Sequence, residues 1–331
     1  MWNELVSIFL IIVAFLFLII IFNFFILKYL VKTRSYWGVY SKYNKSLAQA
    51  CLNLMNNRFI LVDGGAAGQI SEPFDIVKNL ITSIRIEPRG EEVISMSNND
   101  IHINAGLWEK DTAGVLHIAK EPSRSSIYPP NINFLEQFDD NYGVKFRKTE
   151  KKNNISLRSI DSLVKNNEIP FPHFIKLDVH SSELSALKGA KNSLKNCIGL
   201  LVETWNSEVH LGQGLHYEIE KFGIENGFEV YDIICAARWK VKHNNKISNY
   251  ERSRYIGSEI LLIKKANSEA LLLHKTFLFC LFGFYSDALN LVSKSSRKDA
   301  KNLYKKILNT QLKINMSLLN KLRKIKQYIF N

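Results

Sequence analysis

Residues 59–69, FILVDGGAAGQ, contain the pattern that decides the fold. Four apolar residues are followed by an acid and then by a turn rich in glycine and alanine. A short apolar run bounded in this way predicts a buried β-strand that ends in a tight turn. A helix is predicted directly afterwards, over residues 74–79. The segment therefore has the form of a strand, a turn and a helix.

The same pattern recurs along the middle of the chain. Four further apolar runs predict buried strands, at residues 83–86, 101–103, 174–177 and 199–202. A helix over residues 183–194 separates the last two, and residues 231–241 and 258–264 are predicted as a closing pair of longer strands. Strands that alternate with helices are typical of a parallel sheet with helices on both faces. The predicted fold class is α/β, with a doubly wound, mostly parallel sheet.

Acidic residues stand at the ends of four predicted strands: Asp63, Glu87, Asp178 and Glu203. Ligands of a doubly wound sheet bind beyond the carboxyl ends of its strands. Packing alone does not favour four acids there, because an unpaired buried carboxylate is costly. Each acid taken singly could instead be a helix cap or a salt-bridge partner. Together they predict a site for a ligand with hydroxyl groups and positive charge.

The first turn indicates which nucleotide is bound. Gly65 and Gly68 match the last two glycines of the dinucleotide pattern Gly-x-Gly-x-x-Gly, but Asp63 occupies the first glycine position. A carboxylate there suits the ammonium and sulfonium groups of S-adenosylmethionine better than a pyrophosphate, which disfavours the alternative of a nicotinamide-dependent oxidoreductase. Glu87 is placed to accept ribose hydroxyls. The predicted cofactor-binding residues are Asp63, Gly64, Gly65, Gly68, Glu87, Ala105 and Gly106.

Seven sequence blocks follow one another in a fixed order over residues 59–265. They are LVDGGAAG from Leu61, IRIEP from Ile84, INAGLW from Ile103, SSIYPPN from Ser125, IKLDVHSSELSALKGA from Ile175, VETWNSEVHLGQG from Val202 and GFEVYD from Gly227. In this order they resemble the FkbM family of S-adenosylmethionine-dependent methyltransferases. The resemblance implies a Rossmann-like methyltransferase fold, with Asp63 and Gly65 in the cofactor loop, Glu87 at the ribose and Asp178 facing the transferred methyl group.

The chain departs from the family pattern at two places. Gln69 replaces a glycine found in many members, and His180-Ser181-Ser182 replaces a Glu or Gln followed by Gly. Ser181 lacks the freedom of glycine at positive φ, and His180 introduces a titratable group. These changes allow either adaptation to a particular acceptor or a catalytically degenerate domain that serves as a scaffold in glycan assembly.

Methyl transfer to a hydroxyl group requires a general base within hydrogen-bond reach. The predicted catalytic residues are Asp178, His180 and Glu203. His180 is attractive because its ordinary pKa suits neutral pH, although a loop histidine bonded to the backbone is the alternative. Asp178 and Glu203 form a carboxylate pair suited to Mg²⁺, but no third ligand is apparent, and no metal is expected.

The acceptor is expected to meet a long connection that contains Arg124, Ser125 and Ser126, because long loops of compact domains are often lids or binding sites. Arg124 could hold an anionic acceptor such as a sugar phosphate. Trp205 could form a platform for a sugar face, and His210 is placed on a substrate loop. The alternatives are a surface turn for Arg124, core packing for Trp205 and simple exposure for His210.

The N-terminal segment has the pattern of a membrane anchor. Residues 5–27 carry no charged side chain and as a helix would extend roughly 34 Å, enough to cross a bilayer. Lys28, Lys32 and Arg34 follow this run and only Glu4 precedes it, which predicts a single-pass protein with its catalytic domain on the cytoplasmic side. A signal peptide and a buried core helix are the alternatives. The predicted organisation is an anchor at residues 1–35, a linker or amphipathic helix at 36–58, a methyltransferase domain at 59–265 and a basic helical extension at 266–331.

The basic charge is concentrated at the C-terminal end. The chain has 44 Lys and Arg against 31 Asp and Glu. Eleven of these basic residues lie from Lys294 onward, where Asp299 is the only acid. No nucleic-acid module accompanies this charge, so we expect a basic amphipathic helix on anionic lipid, with packing on the enzyme body as the alternative. Residues 271–292 predict a helical hairpin that turns near Gly283, and four widely spaced cysteines predict reduced thiols without zinc.

Overall fold

The computed structural model describes residues 41–89, 99–139, 142–244, 246–247 and 250–316. The membrane span predicted at residues 5–27 lies outside the described residues, as does the chain beyond residue 316. Among the helices that the structure describes, none combines the length and the apolar character needed to cross a bilayer.

The described strands form two sheets. The strands are β1 (Ile60–Gly64), β2 (Thr82–Ile86), β3 (Asp100–Ile103), β4 (Gly106–Leu107), β5 (Thr112–Ala119), β6 (Thr149–Arg158), β7 (Phe174–Leu177), β8 (Gly199–Trp205), β9 (Phe228–Trp239) and β10 (Arg254–Lys264). The larger sheet has the order β3-β2-β1-β7-β8-β10-β9, and the smaller has the order β4-β6-β5. Neighbours from β3 to β8 are parallel, whereas β10 runs antiparallel to both β8 and β9. The predicted α/β class with a mostly parallel sheet is confirmed.

The central strands form where the sequence has uninterrupted apolar runs. All four residues of β7 are buried, and β8 is buried at six of its seven positions. A strand buried on both faces needs apolar side chains at successive positions rather than at alternate ones. This requirement explains why the runs at residues 174–177 and 199–202 are predicted at the correct places.

The described helices are shorter than the apolar patterns suggest. They are α1 (Ser41–Leu52), α2 (Ile132–Leu135), α3 (Val144–Arg147), α4 (Ile160–Lys165), α5 (Glu183–Lys188), α6 (His216–Glu225), α7 (Leu272–Phe282), α8 (Tyr285–Ser293) and α9 (Ala300–Met316). The helix predicted at residues 74–79 is a 3₁₀ turn, Phe74–Val77. The helix predicted at residues 183–194 ends at Lys188, and Gly189 then packs so closely that a Cβ atom would lie 2.1 Å from the Trp108 carbonyl oxygen.

One face of the larger sheet is covered by helices from both ends of the described chain. Leu47 of α1 and Phe277 of α7 belong to the same buried cluster as Leu61 of β1 and Phe174 of β7. The other face is covered by α4, α5 and α6. The helical layer therefore continues across the boundaries predicted at residues 59 and 265. The hairpin turn at Gly283 is confirmed, because this residue ends α7 with a φ of +85° and α8 follows at once.

Helix α9 shows how the basic segment packs where it is described. Leu303 and Ile307 are buried in the main core cluster, while Lys301 and Lys305 are exposed. This part of the segment is therefore a helix with its apolar side on the protein body and its charges in solvent, which was the alternative to lipid binding. Three cysteines whose side chains are described are buried and not disulfide-bonded: Cys51, Cys197 and Cys280.

Candidate active site

A cavity of about 400 Å³ lies at the carboxyl ends of β1, β2, β7 and β8. Gly65, Glu87, Asp178 and Glu203 contribute to the wall formed by these strand ends. Residues of the second sheet and of the turn after β5 line the cavity as well: Leu107, Leu116, Ser123, Arg124, Ser125 and Ile127. The segment predicted as a long connection contains the two strands β5 and β6.

Gly65 brings the turn after β1 directly against the end of β7. Its φ is +77°, and a Cβ atom would lie 1.8 Å from the main-chain oxygen of Asp178. Its N–H donates to the Ile86 carbonyl oxygen at 3.0 Å. No side chain fits at this position, so the glycine is required by contact as well as by its dihedral angle.

Asp63 does not line the cavity, which corrects the expectation that it contacts the ligand. Its carboxylate is buried, with Oδ2 3.2 Å from Arg85 Nε and Oδ1 3.4 Å from Lys176 Nζ. Both partners lie directly beside Asp63 in the register of the neighbouring strands. Burial opposes the charged form of Lys176, but the charges of Asp63 and Asp178 outweigh it and raise the pKa of this lysine. A buried carboxylate is stabilised by paired cations, and here its neighbours supply them.

Arg85 is a functional residue that the sequence analysis missed. It is fully buried, and Nη2 donates to the carbonyl oxygens of Ala66 at 2.8 Å and Gly68 at 3.2 Å. Through these bonds and its ion pair with Asp63, Arg85 holds the glycine turn in place. An arginine inside an otherwise apolar strand was the available signal.

Two other predicted glycines also serve the turn rather than the cavity wall. Gly64 packs so closely that a Cβ atom would lie 2.6 Å from Leu107, whereas Gly68 closes the turn with a φ of +77° in open space. Gln69 is exposed and has a negative φ. The turn therefore closes without the glycine that many family members have at this position.

Glu87 lies at the end of the cavity formed by β1, β2 and β3. It is 3% exposed, and its Oε1 accepts hydrogen bonds from the N and Nε atoms of Arg89 at 3.1 and 3.0 Å. Ala105 and Gly106 line the cavity beside it. These three predicted cofactor residues are therefore together with Gly65 at one site.

His180 lies between two carboxylates. Its Nδ1 is 3.0 Å from Glu203 Oε2 and 3.9 Å from Asp178 Oδ1. Burial disfavours the charged imidazolium, but the charge and hydrogen bond of Glu203, together with the charge of Asp178, raise the pKa of His180 to about 9. His180 is therefore protonated at neutral pH, which corrects the expectation of an ordinary histidine pKa.

His180 gives this cluster a third potential metal ligand beside the two carboxylates, which the sequence analysis did not identify. Asp178, His180 and Glu203 offer ligand atoms that all lie within 4.8 Å of one another. A divalent cation would have to displace the proton of His180, since a metal-bound imidazole must release it. With His180 protonated, its imidazolium lies between the side chains of Asp178 and Glu203.

The turn after β7 keeps its positive φ angles without glycine. His180 has a φ of +48° and Ser181 a φ of +92°. The Ser181 hydroxyl donates to Gln213 Oε1 at 3.1 Å and is 2.6 Å from His210 Nδ1. Glu183 Oε1 accepts from the Ser181 N–H at 3.2 Å. These bonds stabilise a backbone conformation that a serine otherwise disfavours.

Two predicted substrate residues support this turn instead of lining the cavity. Ser126 Oγ donates to the His180 carbonyl oxygen at 2.5 Å. His210 is 1% exposed, and burial, followed by the charges of Arg147 and His180, lowers its pKa well below the ordinary value. His210 is thus a neutral structural residue, which corrects both its expected substrate contact and the alternative of exposure. Behind the turn, burial and the charge of Glu203 raise the pKa of Glu183 to about 8.

The remaining predicted substrate residues lie in the cavity wall with a second arginine that the sequence analysis missed. Arg124, Ser125 and Trp205 line the cavity, as does Arg147. The Arg147 guanidinium lies 5.4 Å from the Trp205 ring and 5.0 Å from the Trp239 ring. Trp205 is only 4% exposed. Its ring packs against Arg147 and offers little surface as a platform for a ligand.

Comparison with known proteins bears on this site. Residues 74–236 match the family model described as "Methyltransferase FkbM domain". Among curated proteins, no sequence matches the chain. A methyltransferase FkbM from Methylobacillus flagellatus KT is similar to 64% of this chain, with 15% identity and a TM-score of 0.31, and the match spans 45% of that structure's own chain. A magnesium protoporphyrin IX methyltransferase from Synechocystis PCC 6803 with bound SAM is similar to 68% of this chain and 79% of its own, with 11% identity and a TM-score of 0.30.

Proposed function

We propose that the protein is an S-adenosylmethionine-dependent O-methyltransferase, and the match of residues 74–236 to the FkbM methyltransferase domain model supports this proposal. The observation that carries the proposal is one continuous cavity with the glycine turn and Glu87 at one end and the His180–Glu203 pair at the other. From β2 to β8 there are three strand spacings of about 4.8 Å each. The donor end and the acceptor end of the cavity are therefore about 14 Å apart across the sheet.

The donor end of the cavity fits the nucleoside part of the donor. Gly65 allows close approach of a ligand to the backbone, and Glu87 presents a buried carboxylate at the end of β2, where ribose hydroxyls are bound in doubly wound sheets. Asp63 and Arg85 would act indirectly by holding the turn. When bound, S-adenosylmethionine supplies an electrophilic methyl group.

The acceptor end of the cavity offers a general base. Glu203 engages Nδ1 of His180, so proton transfer from an acceptor hydroxyl would use Nε2. With a pKa of about 9, about 1% of His180 is neutral at pH 7, and the neutral fraction rises about tenfold per pH unit below the pKa. We therefore expect methyl transfer to become faster up to about pH 9.

The membrane location and the acceptor class belong to the same proposal. The apolar run at residues 5–27 with basic residues after it supports a single-pass anchor and a cytoplasmic catalytic domain. An anchored enzyme meets acceptors at the membrane surface, which favours a glycan or a lipid-linked sugar. Basic residues beyond the described part of α9 would add contacts to anionic lipid.

Titration calorimetry on the full chain in detergent micelles tests the cofactor assignment. We expect S-adenosylmethionine to bind the wild-type protein and to bind Glu87→Gln at least tenfold more weakly, because charged hydrogen bonds to the ribose are lost. Glu121→Gln removes an exposed acid outside the cavity and is the matched control. Equal affinity for all three proteins would exclude the assigned cofactor site.

A second candidate function is a catalytically inactive scaffold in glycan assembly, which the departures from the family pattern at Gln69 and Ser181 would permit. Mass spectrometry of glycans and lipids from cells with and without the protein separates the two candidates. Loss of one methyl group, about 14 Da, from a glycan species supports the enzyme. Intact cofactor binding with no change in any glycan supports the scaffold.

A further inference from the structure

Arg147 is a buried cation with an incomplete set of hydrogen bonds. Its Nε donates to the Tyr142 carbonyl oxygen at 3.2 Å. Its Nη1 is buried and has no hydrogen-bond partner among the described residues. A buried guanidinium N–H without an acceptor is costly and is rare in native proteins. Because Arg147 also lines the cavity, an acceptor atom supplied by a ligand would complete its bonding.

Two more polar atoms that lack a hydrogen-bond partner in the described part of the chain belong to residues of the same wall. They are Trp205 Nε1 and Ser182 Oγ, and both are buried. The indole can only donate a hydrogen bond, and the hydroxyl can do so as well. Three side chains of one cavity wall thus have polar atoms that no described residue satisfies, and two of them, the guanidinium and the indole, can only donate hydrogen bonds.

The charges around these donors favour an anion. Burial and the positive charge of Arg124 lower the pKa of Arg147 to about 10, against the opposing effect of Glu203. Arg147 therefore stays charged at neutral pH close to a second arginine, while Glu203, the carboxylate that opposes the lowering of its pKa, is engaged by His180. An anion placed between the two guanidinium groups would relieve their repulsion. Carboxylates and phosphates are the anions that arginine binds through two parallel hydrogen bonds.

We infer that the acceptor is an anionic sugar whose carboxylate or phosphate binds Arg124 and Arg147 next to His180. This inference rests on the proposed function and narrows its acceptor class. Arg147 packs on Trp205 at the end of β8, three strands away from Glu87 on β2. Arg147 is therefore at the acceptor end of the cavity, and Arg124 is close enough for its charge to act on Arg147.

Thermal unfolding of the full chain in detergent micelles, saturated with S-adenosylhomocysteine, tests the inference. The probes are glucuronate, glucose 6-phosphate and uncharged glucose. We expect at least one charged sugar to raise the Tm and glucose to leave it unchanged, since only a ligand that binds the native state stabilises it. For the sugar that stabilises, Arg124→Gln should weaken apparent binding about tenfold. Arg238→Gln is the control, because it removes an exposed arginine that lies over the Tyr255 ring, and it should leave the apparent affinity for this sugar unchanged.

Arg147→Lys provides a second variant that keeps the positive charge but loses the two parallel bonds. If Arg147→Lys does not fold, the test depends on Arg124→Gln alone, which should fold because Arg124 is only half-buried. Stabilisation by glucuronate alone indicates a uronic acid acceptor, and stabilisation by glucose 6-phosphate alone indicates a sugar phosphate. Stabilisation by glucose to the same extent, or by neither charged sugar, overturns the inference. Failure to bind S-adenosylhomocysteine, measured separately by calorimetry, would instead refute the proposed function.

Discussion

The substitution Glu203→Gln should lower the pKa of His180 and thereby change the pH dependence of the enzyme. Glu203 Oε2 lies 3.0 Å from His180 Nδ1 and supplies both a charge and a hydrogen bond. Without this carboxylate, burial again disfavours the imidazolium, and the more distant Asp178 at 3.9 Å only partly compensates. We expect the pKa to fall from about 9 to the ordinary value near 6.5 or below.

The contribution of His180 to the free energy of unfolding follows from its pKa in the folded and unfolded chain. A shift of one pKa unit corresponds to about 1.4 kcal/mol. A pKa of about 9 in the folded protein against 6.5 in the unfolded chain therefore stabilises the fold by about 3 kcal/mol. Because the pKa is raised on folding, this stabilisation is complete below pH 6.5. It is lost as the pH rises through about 9.

Two measurements check this prediction. Histidine ring resonances of the ¹³C-labelled protein should show one group that titrates near pH 9 in the wild type and is absent from His180→Asn. Asparagine is a suitable replacement, because it tolerates a positive φ such as the +48° of this residue. In urea unfolding between pH 6 and pH 10, the wild type should lose about 3 kcal/mol more stability than His180→Asn.

A His180 titration midpoint at or below 6.5 in the wild type would contradict the raised pKa assigned to this residue. The same pH dependence of unfolding in the wild type and His180→Asn would contradict it as well. A rate of methyl transfer that reaches its plateau at neutral pH in both the wild type and Glu203→Gln would exclude His180 as the base.

Four further substitutions test the supporting structure of the cavity. Asp63→Asn should destabilise the protein by about 3–5 kcal/mol in urea unfolding, because Arg85 keeps a buried charge that has lost its carboxylate partner. Gly65→Ala should abolish binding of S-adenosylmethionine in calorimetry, because the added methyl group meets a main-chain oxygen. In Gly68→Ala the added methyl group points into open space, so this variant should retain binding and lose about 1 kcal/mol of stability. Ser181→Ala should lower stability by about 1–3 kcal/mol, because it removes a hydroxyl that bonds two buried side chains; unchanged unfolding midpoints would contradict the roles given to these residues.

The sheet and the edge that carries the site could be predicted because they depend on local patterns. A strand buried on both faces requires successive apolar residues, and the sequence has them at β1, β7 and β8. Parallel strands place their carboxyl ends at one edge, so Glu87, Asp178 and Glu203 were expected together and do line one cavity. The glycine turn was visible for the same reason, since its composition directly reflects backbone geometry.

The protonation states and ion pairs depended on contacts between distant segments. Asp63 pairs with Lys176, which is far from it in the chain and adjacent only through the register of β1 and β7. His180 has its high pKa because the ends of β7 and β8 meet. Arg147 reaches the cavity from a short helix that the sequence pattern did not predict.

The α/β class, the order of the apolar strands and the resemblance to the FkbM family could be recognised in the sequence alone, because hydrophobic periodicity and turn composition are properties of neighbouring residues. Only the tertiary structure decided which acids face the cavity, which are neutralised by buried cations and which face of the sheet the flanking helices cover. Charge pairing and burial depend on distances in space, and those distances are set by strand register and packing between segments that are far apart along the chain.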